Sequence, residues 1–198
     1  MPITVSKTRD MLVDVARQLF ARMGVDNTTM NDIAQASRKG RRTLYTYFKS
    51  KNEIYLAVVE SELDLLYKML LDVAGKDMPP DEKLFAFIYM RLDAIKALVF
   101  RNGTLKANFF RDIWRVEKVR KSFDLRETEI IKSILDDGVA QGIFQMPDTD
   151  ITATILHHAF KGLEVPYIRG IMGLSAADQA KRKENVMNII FNGIKIKQ

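Results

Sequence analysis

Six basic side chains and two tyrosines crowd the fourteen residues from Arg38 to Lys51, with no acidic residue among them. The stretch reads Arg38-Lys39-Gly40-Arg41-Arg42-Thr43-Leu44-Tyr45-Thr46-Tyr47-Phe48-Lys49-Ser50-Lys51. Guanidinium, ammonium, hydroxyl and phenol groups are the donors that grip phosphate oxygens and read base edges. Cations this close repel one another, so an anionic partner is the simplest reason for them. A solvated charge run is the bland alternative. Other chemistry is sparse. With no cysteine, disulfides, thiolate nucleophiles and Cys-ligated zinc are excluded. The two histidines, His157 and His158, are adjacent and cannot form a helical i,i+4 ligand pair, so no metal site is expected. No Ser/His/Asp order or Gly-rich phosphate loop is present, and neither an enzyme nor a cofactor is expected.

The basic run is not a property of the whole chain. The net charge of the 198 residues is +6. Residues 1–53 hold ten Lys and Arg against five Asp and Glu, while residues 54–198 hold 21 against 20. The basic character belongs to the N-terminal quarter, as expected when that part meets nucleic acid and the rest does something else. Apolar residues make up 47% of the chain, enough for a substantial core. No apolar run approaches the roughly 18–20 residues needed to span a bilayer. The N-terminus, Met1-Pro2-Ile3-Thr4-Val5-Ser6-Lys7, lacks the apolar block of a signal peptide. A cytoplasmic protein with no membrane partner is the expectation.

Apolar spacing supplies the scaffold. Leu12, Val15, Ala16, Leu19, Phe20 and Met23 mark one face of a helix predicted from an N-cap at Ser6 to Met23, with Gly24 at its end. A short second helix begins at Thr28-Thr29 and ends near Ser37. There Thr29 and Asp32 have the form of a capping box, with Asp in place of Glu or Gln. After a turn marked by Gly40, a third short helix from Arg41 to about Phe48 turns Leu44 and Phe48 one way. Arg42, Thr43 and Tyr47 face the other way. Ser50 or Asn52 is placed to cap the next helix. Two short helices joined by a tight turn behind a longer one describe a helix-turn-helix unit.

Beyond Glu53 every segment reads as helix, over about 52–73, 81–100, 105–114, 117–141, 151–172 and 176–196. Pro166 is expected to kink the fifth of these or to stop it a turn early. The predicted fold is all-α with about nine helices. A three-helix DNA-binding domain occupies residues 1–51, with its helix-turn-helix at about 29–48, and a larger helical bundle occupies residues 52–198.

The chain resembles the TetR family of transcriptional regulators in two places. Thr28-Thr29-Met30-Asn31-Asp32-Ile33-Ala34, a turn, then Thr43-Leu44-Tyr45-Thr46-Tyr47-Phe48-Lys49-Ser50-Lys51-Asn52-Glu53 is similar to the family pattern T-T-x-x-D-I-A, turn, T-L-Y-x-Y-F-x-S-K-x-E. Ile134-Leu135-Asp136-Asp137-Gly138-Val139-Ala140-Gln141-Gly142-Ile143-Phe144 is similar to its L-x-x-G-x-x-x-G-x-F segment. One departure stands out. The family's usual turn is A-G-V-S-K-G, whereas this chain has Ser37-Arg38-Lys39-Gly40-Arg41-Arg42. Arg38 replaces the glycine that can take positive φ, and Lys39 replaces the valine that packs beneath. Either the turn is reshaped, or Arg38 and Lys39 reach phosphates.

The resemblance implies a regulator whose helix from Arg41 to Phe48 enters the major groove of a double-stranded DNA operator. Arg42 is then expected to contact a base, and Arg41 a base or a phosphate. Thr43 and Tyr45 face a thymine methyl or a phosphate, although Tyr45 has an inward-packed alternative. Tyr47 and Lys51 are expected to clamp phosphates, with Thr29, Arg38, Lys39 and Lys49 completing the DNA-binding set.

The resemblance also implies a homodimer through the last two helices, with Ile155, Leu163, Ile171, Val186, Ile190 and Ile194 at the interface. An effector pocket lined by Phe85, Tyr89, Phe109, Phe110, Trp114, Phe123, His157 and Phe160 would take a small apolar or amphipathic molecule. Ordinary core is the alternative for each of these aromatics. The expected function is a ligand-responsive repressor acting on a palindromic operator. The alternative is a DNA-bound scaffold or activator that works through protein contacts.

Overall fold

The computed structural model describes residues 3–101 and 113–169, with residues 181, 185, 188 and 189 in the C-terminal stretch. The chain is all-α, with seven helices among the described residues. They are α1 (Ile3–Met23), α2 (Met30–Ala36), α3 (Arg41–Tyr47), α4 (Lys51–Ala74), α5 (Pro80–Arg101), α6 (Ile113–Ala140) and α7 (Thr149–Ile168). The helices predicted over 105–114 and 176–196 lie largely outside the described residues. No described helix is long and apolar enough to cross a membrane.

Several boundaries differ from the sequence expectation for local reasons. Helix α1 starts at Ile3, so Ser6 lies inside it instead of capping it. Ile113 and Trp114 belong to α6, which runs without a break to Ala140. Ser50, not Asn52, caps α4: its Oγ accepts from the Glu53 amide at 3.2 Å. The Glu53 carboxylate in turn accepts from the Lys49 amide at 2.7 Å. Pro166 sits within α7, which ends two residues later at Ile168. Its missing N–H leaves one helical bond unmade, yet the helix continues past it, and the Arg169 amide bonds to Val165 O at 3.0 Å.

Contacts divide the chain into two compact units, Met1–Asp64 with Ala97–Lys121, and Leu65–Lys96 with Ser122–Gln198. In the first, Leu12, Ala16 and Phe20 of α1, Ile33 of α2 and Leu44 of α3 form one core with Ile54, Tyr55 and Val58 of α4. Phe20 and Tyr55 meet edge to face, with centroids 6.3 Å apart. The first turns of α4 thus help hold the helix-turn-helix. In the second unit the buried positions recur at helical spacing, as Leu84, Phe87, Ile88, Leu92 and Ile95 on α5 and as Phe123, Ile130, Ile131 and Ile134 on α6.

The glycine-rich segment after α6 has a specific mechanical basis. Gly142 takes φ +69 just past the helix. The amide of Ile143 bonds to Gly138 O at 2.9 Å, and that of Gly142 to Val139 O at 3.0 Å. This is the Schellman arrangement that favours glycine. Phe144 then folds back onto the helix it has left. A Cβ at Gly138 would lie 2.1 Å from its ring.

Candidate functional site

The helix-turn-helix is assembled from short-range hydrogen bonds. Thr28 is buried, and its hydroxyl donates to Gly24 O at 2.7 Å, closing the loop after α1. Thr29 caps α2. Its Oγ accepts from the Asp32 amide at 3.2 Å, and Asp32 accepts from the Thr29 amide at 2.8 Å. The predicted capping box is therefore present. The Thr29 hydroxyl, followed by its amide, holds the Asp32 carboxyl below its ordinary value. Thr29 is exposed, but it gives its hydroxyl proton to Asp32 at 2.7 Å.

The turn after α2 is closed by backbone hydrogen bonds. Ser37 is the C-cap of α2, and Arg38 follows with φ +53, the only positive-φ residue other than glycine among those described. The Lys39 amide bonds to Ala34 O at 3.1 Å and the Arg38 amide to Gln35 O at 3.0 Å. This is again the Schellman pattern, here with arginine in the position glycine usually fills. Gly40 does not compensate, for its φ is −64. Arg38 and Lys39 are both exposed.

Helix α3 is anchored by Leu44, fully buried, and by Phe48 at its C-cap. Arg41, Arg42, Tyr45 and Thr46 face outward. Tyr45 is 43% exposed, so it does not pack inward. The Arg41 guanidinium lies 6.0 Å from its ring centroid. Such a cation–π contact contributes about 0.5–1 kcal/mol at exposed sites and holds both groups on one side. Thr43 is half-buried at the flank. Tyr47, grouped with Arg42 by spacing, is also half-buried and packs against the N-terminal core. Lys49 is exposed. Lys51 is tethered: its ammonium donates to Val25 O at 2.6 Å and to Asp26 O at 3.1 Å. It ties the start of α4 to the loop before α2, with one of its three hydrogens left over.

In the C-terminal unit Phe123, His157 and Phe160 are buried, while His158 is exposed. Phe85 and Tyr89 are half-buried, with ring centroids 4.8 Å apart. Phe109, Phe110 and the Trp114 side chain lie outside the described residues. Ile155 is 62% exposed and Leu163 half-buried, whereas Ile171, Val186, Ile190 and Ile194 are outside the described set.

The sequence reading missed a buried ionic cluster. Arg91 of α5 is fully buried and bonds through Nε to Glu127 of α6 and through an Nη, at 2.6 Å, to Glu164 of α7. Burial alone would lower the guanidinium pKa. The two carboxylates outweigh that and raise it. A signal was available: Arg91, Glu127 and Glu164 each fall in phase with the apolar stripe of their helix.

Residues 12–58 match the model of the family described as bacterial regulatory proteins, tetR family. The HTH-type transcriptional repressor KstR2 of Mycolicibacterium smegmatis is 29% identical over 158 residues, covering 76% of this chain and 73% of that protein. A transcriptional regulator from Cytophaga hutchinsonii has the same fold, with a TM-score of 0.74 at 22% identity, covering 94% of this chain and 98% of that one. The ketosteroid transcriptional regulator KstR2 of Mycobacterium tuberculosis superposes with a TM-score of 0.59 at 22% identity, over 96% and 95% of the two chains.

Proposed function

We propose that this chain, which belongs to the tetR family of bacterial regulatory proteins, is a repressor that binds a palindromic operator as a homodimer and releases it to a small apolar or amphipathic effector. It is a DNA-binding transcriptional regulator and not an enzyme. One observation carries the finer reading: α3 holds Arg41, Arg42 and Tyr45 outward while Leu44 and Phe48 lock its other side into the core. A rigid helix with arginines at its N-terminal end is shaped for the major groove. There an arginine binds guanine O6 and N7 bidentately.

One such helix reads only a few base pairs, so two are needed about 34–36 Å apart. An exposed apolar strip on α7 supports self-association. Ile151 is 60% exposed and Ile155 62%, and Ala159 and Gly162 continue the same side. The effector class is supported by the aromatic content of the C-terminal unit and by the relative named for ketosteroids. An effector releases DNA only as far as its affinity differs between the binding and non-binding states.

The test is fluorescence anisotropy on an operator selected from random duplexes, with light scattering on the same samples. Arg42→Ala is expected to cost about 1–3 kcal/mol on the operator and to relax preference at one base pair. Equal losses on operator and random DNA would remove the base-reading role. A monomer at micromolar concentration would remove the dimer.

A further inference from the structure

We propose that Asp124, Glu127 and His157 form a site for one small divalent transition-metal cation in the C-terminal unit, a property that neither DNA binding nor an apolar effector requires. Helix α6 supplies Asp124 and Glu127, three residues apart and therefore on one side of the helix. Helix α7 supplies His157. One donor atom from each lies within 4.8 Å of the other two.

The hydrogen bonds around these residues sort their atoms into used and unused. Asp124 Oδ2 accepts from Lys161 Nζ at 2.6 Å, and Glu127 Oε1 accepts from Arg91. Each carboxylate is thus fixed by a cation through one oxygen, and the other oxygen turns toward the imidazole. Glu127 Oε2 is 2.9 Å from His157 Nδ1, and Asp124 Oδ1 is 3.7 Å from Nε2. The first contact is close but lacks the alignment of a hydrogen bond, and the second is too long for one. Both oxygens and both ring nitrogens are buried, and none makes a hydrogen bond to the described residues. Glu127 is fully buried and His157 is 2% exposed.

Buried polar atoms are normally satisfied, so a focused set of unused ones marks a missing partner. A single cation would be held by one of the two imidazole nitrogens together with one oxygen of each carboxylate. Ligands about 2.1 Å from a metal lie about 3.0 Å apart when adjacent at right angles, close to the separation of Nδ1 and Oε2. Imidazole with carboxylate favours zinc, iron, nickel or manganese over calcium, which requires more oxygens than this site offers. Arg91 and Lys161 then act as the outer groups that orient the ligating carboxylates.

The experiment titrates the full chain, free of any affinity tag and stripped with a chelator, with ZnCl2 by calorimetry and with CoCl2 by visible absorption. MgCl2 and CaCl2 serve as controls, and circular dichroism checks folding. One zinc per chain is expected, together with a cobalt ligand-field band. His157→Gln and Asp124→Asn should each weaken binding by about 10- to 100-fold or more and remove the band. His158→Gln, which removes the chain's other histidine, should change neither. Asp124 is partly exposed, so its variant keeps the test decisive if His157→Gln fails to fold. The proposal is overturned if no stoichiometric binding occurs, if both variants keep wild-type affinity, or if His158→Gln abolishes binding.

Discussion

Arg38 allows backbone conformation and charge to be separated at one residue. It occupies φ +53, which costs an L-residue about 1–2 kcal/mol. Glycine removes that cost but loses about 0.5–1 kcal/mol through its freer unfolded chain. Arg38→Gly should therefore gain roughly 0.5 kcal/mol, while Arg38→Ala keeps the strained backbone and gains nothing. Both variants delete the same exposed cation. If Arg38 neutralises a phosphate, each should lower operator affinity and flatten the dependence of log K on log salt by about 0.9. Urea unfolding followed by circular dichroism gives the first quantity, and anisotropy across a salt series gives the second. The expected pattern is a glycine variant more stable than the alanine variant, with equally weakened DNA binding. An alanine variant as stable as glycine would refute the strain, and an unchanged salt slope in both would refute the phosphate contact.

Three further substitutions test other parts of the fold. Gly138→Ala places a methyl 2.1 Å from the buried Phe144 ring and should cost about 1–3 kcal/mol in urea unfolding; a neutral result would mean the ring moves aside freely. Arg91→Met removes the buried cation that pairs with Glu127 and Glu164 and should cost about 3–5 kcal/mol; a loss below about 1 kcal/mol would show that the cluster is not coupled to folding. Lys51→Met breaks two charge-assisted bonds to loop carbonyls and should destabilise the DNA-free protein by about 1.5–3 kcal/mol. It should also weaken operator and random duplex alike. Wild-type stability in that variant would return Lys51 to a purely DNA-contacting role.

Local interactions were the most legible in the sequence. The Thr29–Asp32 cap depends on a spacing of three residues, and Leu44 and Phe48 stand one turn apart, so both follow from helical geometry alone. Tyr47 was harder, because it lies at the border between the buried and open sides, and only the neighbouring core decides which way it leans. Lys51 could not be placed from spacing, since its carbonyl acceptors lie 25 and 26 residues earlier in the chain. The ionic cluster was missed for a different reason. Arg91, Glu127, His157 and Glu164 occupy buried registers on three helices, but hydrophobic periodicity passes over charged residues in search of apolar ones. A charge of either sign recurring in the inward register of separate helices is the pattern that would have revealed it.

The connection from α6 to α7 is fastened at both ends. Phe144 plugs the notch at Gly138, and Asp148 Oδ1 accepts from the amides of Asp150 and Ile151 at 2.8 and 2.9 Å. The end of α6 and the start of α7 are thus each closed off by their own residues, and only the short stretch 145–147 lies between the two fastenings.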